Sequence, residues 1–248
     1  MSAELIKPYD PNAAKKQQVE QMFDNVASTY DVLNRILSLR IDVYWRKFAI
    51  NLLRKDNPQQ ILDIATGTGD VALALQTQLK PAHIVGLDLS QQMLNVGIDK
   101  IKKAGFSQNI DMIQGDSENL PFENNKFDAI TVAYGVRNFE NLEKGLREMK
   151  RVLRPNGKLC VIEFSQPKTF PIKQLFGFYF RYILPTIGRL ASNDARAYSY
   201  LYESVQAFPD GQNFMNIVEK CGFTEVKWYP LTFGICSVYM ATAPEEMR

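Results

Sequence analysis

One decapeptide, ILDIATGTGD at 61–70, constrains this chain more than any other stretch. An apolar run meets an acidic residue, Asp63, turns through small residues and passes straight into helical sequence. That order predicts a buried strand, a tight turn and a helix N-terminus. Glycines at 67 and 69 remove the Cβ atoms that would keep a ligand off the backbone. The free N–H groups that open the helix at 70–79 suit an anionic group. Gly67, Gly69 and Ala72 fit the dinucleotide pattern G-x-G-x-x-G/A, with Asp88 at about the acidic offset of such sites. The motif alone leaves the choice of nucleotide open.

The sequence downstream alternates. Strands are expected at 60–64, 83–88, 110–116, 127–135 and 158–165, with helices at 70–79, 91–104 and 142–153. This is an α/β chain with a mostly parallel sheet, and ligands in such sheets sit at the carboxyl ends of the strands. TEVKWYP and ICSVYMATA close the sheet as an antiparallel pair, because no crossover separates them. Upstream, residues 1–14 read as loose and 15–26 as a helix. Asp31 is placed to cap a helix carrying Leu33, Ile36 and Leu37, and a further helix at about 43–54 puts Trp45, Phe48, Ala49 and Leu52 on one face. Tyr30 falls in a turn between them. Two parts are expected, an N-terminal helical segment at 1–55 and a catalytic domain at 56–248. Between 168 and 209 an aromatic-rich stretch punctuated by Arg181, Arg189 and Arg196 reads as inserted helices, either core packing or a lid.

Several function classes drop out on composition. The net charge of +2 gives no case for a polyanion partner, so no nucleic acid is expected. The three cysteines, Cys160, Cys221 and Cys236, lack paired spacing, and the single histidine, His83, rules out a histidine triad or a multi-histidine metal site. No metal is expected. The N-terminus lacks an apolar signal core and no run reaches membrane-spanning length, which suggests a cytoplasmic protein.

The chemistry-bearing residues lie at the strand ends. A carboxylate at Asp88 can accept hydrogen bonds from both hydroxyls of a ribose, and Asp116 suits an exocyclic amino group of adenine. Asp63 either orders the glycine turn or reaches a ligand ammonium group through water. Thr68 offers a hydroxyl, and Ala133 with Tyr134 would wall the pocket.

DIATGTGD, GLDLSQQML, GDSENLPF and FDAITVAYGVRN, in that order, resemble a class I S-adenosylmethionine-dependent methyltransferase. RVLRPNGKLCVIEFS, with YDVLNRILS upstream and AYSYLYESVQAFP downstream, is similar to the quinone-biosynthesis C-methyltransferases that act on ubiquinone and menaquinone precursors. The resemblance implies a Rossmann-like seven-stranded sheet with its last strand antiparallel, and S-adenosylmethionine as methyl donor. Carried onto this sequence, donor contacts fall on Thr68, Asp88, Asp116 and Ser117, and near Ala133, where relatives often have serine. Methyl transfer to a ring carbon of a prenylated quinol is implied, with demethylmenaquinol the expected acceptor and a benzoquinol the alternative. Arg137 would stabilise the phenolate, Asn138 and Tyr30 would orient the ring, and Glu163 would hold Arg137 or act as base. Arg40 and Asp42 stand where the family usually has glycine and histidine, and Tyr202 where it has proline. Such a substrate implies peripheral contact with the inner face of a membrane, and a homodimer stays open. Two rivals remain at this stage: an NAD-dependent oxidoreductase, and a non-catalytic scaffold of a quinone-synthesis complex.

Overall fold

The computed structural model describes residues 3–38, 40–183, 186 and 194–245. Its centre is one seven-stranded sheet. The strands are β1 (Gln60–Ile64), β2 (His83–Asp88), β3 (Ile110–Gln114), β4 (Phe127–Ala133), β5 (Leu153–Phe164), β6 (Thr224–Leu231) and β7 (Cys236–Thr242), in the order β3-β2-β1-β4-β5-β7-β6. β1 to β5 run parallel and β7 is antiparallel to both β5 and β6. The order reverses between β1 and β4, which opens a crevice at their carboxyl ends.

Alternation within each apolar run sends side chains to opposite layers. Leu62, Ile64, Ile130, Val132 and Val161 pack on one face against Leu146 and Met149 of α6 (Leu142–Val152). Ile61, Ile84, Ala129 and Cys160 pack on the other face. Their partners there are Trp45, Ala49 and Leu53 of α3 (Ile41–Leu53) and Ala72 and Leu75 of α4 (Asp70–Leu79). Each fully buried aliphatic contributes about 1.5–3 kcal/mol, so the two-sided core dominates stability. The remaining helices are α1 (Lys15–Val26), α2 (Tyr30–Leu37), α5 (Gln91–Ala104), α7 (Ile172–Phe178), α8 (Ala195–Ala207) and α9 (Gln212–Lys220). Ser90 caps α5 by accepting from the Met93 N–H, and Gly105, in the left-handed region, ends it.

Some expectations shift. The third strand stops at Gln114, so Asp116 lies in the loop beyond it, bridged to Asn119. Tyr30 is not in a turn; it opens α2, and Asp31 sits in that helix's first turn rather than capping it. The side chains of Leu33, Ile36 and Leu37 lie outside the described residues. The segment before α1 is not loose where it is described. Glu4 accepts the Leu142 N–H at 3.0 Å, and Gln18 Oε1 accepts the N–H groups of Tyr9 and Asp10 at 2.8 and 2.7 Å. The inserted stretch holds α7, a π turn at Tyr179–Ile183 and α8, while Arg189 lies outside the described residues. No described helix is long and apolar enough to cross a membrane.

Candidate active site at the carboxyl ends of the strands

The glycine turn follows β1 directly. Thr66 N–H donates to the Leu87 carbonyl at 3.1 Å, and Gly69 N–H to the Thr66 carbonyl at 2.9 Å. Gly67 has φ +56°, and a Cβ there would project into open space. Gly69 serves helix packing instead, since its Cβ would face Met112 and the Cα of Gly97 on α5. Asp63 is buried beneath the turn and accepts from Thr66 Oγ1 and Thr131 Oγ1, both at 2.6 Å. Burial pushes its carboxyl up to about 6, against the pull of those hydroxyls. Of its two expected roles, the geometry favours ordering the turn.

Asp88 closes the next strand with one oxygen accepting the Gly67 N–H at 2.8 Å and the other the Ser90 N–H at 2.9 Å. Burial raises its carboxyl, and these N–H groups oppose that rise. The Leu89 N–H also supports this carboxylate, and Asp88 borders a cleft lined by Leu89, Asp116, Ser117 and Ala133. α1 covers this cleft. Lys16 Nζ meets Asp116 Oδ2 at 2.6 Å, Asp24 accepts from Ser90 Oγ at 2.5 Å, and Val19 and Phe23 supply the apolar wall. Thr68 points elsewhere. Its hydroxyl donates to Asp31 on α2 at 2.5 Å and accepts from Lys100 on α5 at 3.1 Å, so it joins two helices to the turn.

A second, larger cavity of about 450 Å³ adjoins the cleft. Phe23, Tyr30, Gly67, Ala133, Tyr134 and Asn138 line both, so the two volumes meet at the end of β4. The far walls are apolar: Trp45, Phe164, Ile172, Phe176, Tyr179 and Phe180. The near wall is polar. Arg137 and Asn138 lie in a short helical turn, Val136–Asn138, packed under α8. Arg137 is 7% exposed and its Nη1 reaches Glu163 Oε1 at 2.8 Å, the glutamate being wholly buried. Burial raises the Glu163 carboxyl and Arg137 holds it down. Nη1 also donates to the Tyr134 carbonyl. The Tyr134 hydroxyl, Arg137 Nε, Asn138 Oδ1 and the Tyr200 hydroxyl, all on residues lining this cavity, are buried without a protein hydrogen-bond partner. The residues around this cavity thus carry four polar atoms whose hydrogen-bonding capacity the protein leaves unused.

A family model described as the ubiE/COQ5 methyltransferase family matches residues 12–243. The chain belongs to that family. A demethylmenaquinone methyltransferase of Bacteroides fragilis is 50% identical over 239 residues, covering 96% of this chain and 98% of that protein. A demethylmenaquinone methyltransferase of Deinococcus radiodurans is 41% identical, covering 97% and 98%. A ubiquinone/menaquinone biosynthesis C-methyltransferase of Geotalea uraniireducens is 41% identical, covering 91% and 96%. Among solved structures, a SAM-dependent methyltransferase from Aquifex aeolicus superimposes with TM-score 0.55 at 19% identity, covering 75% of this chain and 82% of that one. The cyclase SpnF reaches 0.60 at 18% identity, covering 94% and 98%. Structures this distant establish the fold, and the cyclase shows that the fold does not choose the reaction. Family membership does: the chain is a methyltransferase.

In this methyltransferase the structure brings Gly67, Asp88, Asp116, Ser117 and Ala133 to one cleft, Tyr30 and Asn138 to its junction with the cavity, and Arg137 to the cavity wall. Asp63 and Gly69 shape the turn, and Thr68 joins it to two helices while also lining the second cavity. Sequence reasoning missed Lys16, Asp24 and Tyr200. For Tyr200 a signal existed, because it lies in the specific string AYSYLYESVQAFP, yet nothing local says that its hydroxyl faces a cavity.

Proposed function

We propose that this enzyme transfers a methyl group from S-adenosylmethionine to a ring carbon of demethylmenaquinol, giving menaquinol. The single observation carrying the acceptor side is the buried Arg137–Glu163 pair, with Arg137 Nε–H left unpartnered, on a residue that lines an apolar cavity beside the cleft. The names of the relatives point the same way. The polar groups of the cleft suit the donor: the Asp88 carboxylate can accept from a ribose hydroxyl, and Asp116 can accept from adenine once Lys16 yields. S-adenosylmethionine supplies an electrophilic methyl group.

The chain's residues then have three tasks. Arg137, held by Glu163, donates Nε–H to one quinol oxygen and stabilises it as a phenolate. A phenol titrates near about 10, as tyrosine does, and each unit of depression is worth about 1.4 kcal/mol. The phenolic proton leaves to water, and the phenolate electron pair makes the adjacent ring carbon nucleophilic. As that carbon gains the methyl, the S–CH3 bond of the donor breaks and leaves the neutral thioether. The ring hydrogen then passes through water to the oxygen, which restores the aromatic quinol with one proton released overall. Asn138 Oδ1 and the Tyr200 hydroxyl fix the ring's second polar edge, and Tyr30 walls the junction. Phe164, Phe176 and Phe180 exclude water and receive the isoprenoid tail.

The test pairs two variants in a methyl-transfer assay on reduced naphthoquinone and benzoquinone analogues. Arg137→Ala lowers turnover by about 10²-fold or more while donor affinity by calorimetry stays within about twofold. Asp88→Ala does the reverse, weakening donor binding by about tenfold or more. Lost donor binding in folded Arg137→Ala, or preference for the benzoquinol in the parent enzyme, overturns the assignment.

A further inference from the structure

α7 and the π turn after it are apolar on two sides. Phe176 and Phe180 point inward, stack at 4.2 Å and meet Phe164 at the cavity wall. The opposite side carries Leu175, Phe178 and Tyr182, spaced three and four residues apart and 62%, 56% and 54% exposed. Phe178 and Tyr182 touch, with ring centroids 5.4 Å apart. Exposed aromatic residues grouped on one helical face mark an interaction surface. Leu175 belongs to both sides, since it is exposed and also lines the cavity.

Charge separates the candidate occupants. From Phe164 to Asn193 the chain has four basic residues and no acidic one, more positive charge than the +2 of the whole protein. Of these, Lys168, Lys173 and Arg181 are described and exposed around α7. A second copy of this chain would bring the same positive field against itself. An anionic lipid surface complements it, with apolar rings for the acyl boundary and cations for the headgroups.

We propose that the outer face of α7, Leu175–Phe178–Tyr182 with Lys173 and Arg181, docks on an anionic phospholipid bilayer and presents the cavity mouth to it. The inference rests on the prenylated-acceptor reading, because only a lipid-borne substrate needs a mouth at that surface. An acceptor then moves from bilayer to cavity past Leu175 without crossing water.

The experiment is co-sedimentation of the full chain with vesicles of phosphatidylcholine alone or mixed with phosphatidylglycerol. The parent protein sediments with the anionic vesicles, less as salt rises, and weakly with the neutral ones. Phe178→Ser with Tyr182→Ser lowers the bound fraction at least tenfold, and Lys173→Glu with Arg181→Glu abolishes the phosphatidylglycerol dependence. All four positions are exposed and outside the cavity lining, so turnover of a tail-less water-soluble acceptor stays within twofold in both variants. Turnover of a long-tailed acceptor embedded in vesicles falls with binding. No sedimentation of the parent protein, or undiminished binding by both variants, overturns the proposal. So does a dimer in gel filtration that the aromatic variant splits while lipid binding persists, which would assign the face to a second copy. Tail-less turnover reports separately on the methyl-transfer reading.

Discussion

Asp63 shows how a single residue sets a cost that the site needs. Its carboxylate holds Thr66 and Thr131 in place, and so fixes where the turn before Gly67 sits. The folded state raises its pKa from 3.8 to about 6, chiefly by burial. The folded protein therefore binds this proton more tightly than the unfolded chain. Its contribution is full below about pH 4 and lost as pH rises through about 6, and a two-unit gap amounts to about 3 kcal/mol. Asp63→Asn removes the titration. In urea unfolding, the variant should gain on the parent by up to about 3 kcal/mol between about pH 4 and pH 7; curves that stay parallel across that range contradict a buried, titrating Asp63. Arg40 is a second single-residue case. It precedes α3 at φ +63°, in the left-handed region, at the position where the resemblance led us to expect glycine. Relief of the Cβ clash is worth about 1–2 kcal/mol, and the extra freedom of glycine in the unfolded chain returns about 0.5–1. Arg40→Gly should therefore stabilise by about 0.5–1 kcal/mol in denaturant titration, and a loss of stability would sink that account. The neighbouring departure, Asp42, pairs with Arg46 at 2.7 Å and accepts from Ser38 at 2.6 Å, so this carboxylate has a structural use in the cavity wall.

At the scale of elements, the donor turn is clamped from behind by α5. A Cβ built on Gly97 would lie 2.5 Å from the Met112 methyl and 3.1 Å from the Thr68 carbonyl carbon. The methionine tip can swing aside, whereas the Thr68 backbone cannot move without shifting the turn. Gly97→Ala should cost about 1–3 kcal/mol of stability and weaken donor binding with it. A stable variant that binds the donor normally in calorimetry would show that α5 does not set the turn. This clamp also shows what the sequence could and could not tell. The short apolar runs of β1, β2 and β4 and the glycine stop of α5 were legible because their cause is local. Asp88 and Arg137 were legible because the motif carries them to strand ends. The partner of Thr68 was not, since the hydroxyl that looked aimed at a ligand is taken by Asp31, 37 residues away, and Lys100. Nothing in the sequence around Lys16 and Asp24 marks the contacts they make once α1 lies over the strand ends. Polar pairing across elements leaves no periodicity to read.

For the molecule as a whole, the layers order access. The sheet and its two flanking layers make the floor, and the N-terminal helices with α8 make a roof over both the cleft and the cavity. Val19 and Met22 of α1 pack on Tyr200 of α8, so the roof over the cleft touches the wall of the cavity. The covered cleft has about 60 Å³ of free volume, well under the roughly 300–1,000 Å³ of ligand pockets. If the donor binds in this cleft as proposed, α1 is expected to lift and break Lys16–Asp116 and Asp24–Ser90. A reversible tether tests this. The Asp24 and Ser90 side chains meet at 2.5 Å, so Asp24→Cys with Ser90→Cys sets two thiols toward each other for oxidation, and the three native cysteines are buried and free. Mild oxidation should cut the rate of donor binding in stopped flow by at least about tenfold, and reductant should restore it, while each single variant stays unaffected by oxidant. If the cross-linked enzyme, verified by mass, binds and releases the donor at the reduced rate constants, α1 is a fixed wall and the donor has another way in.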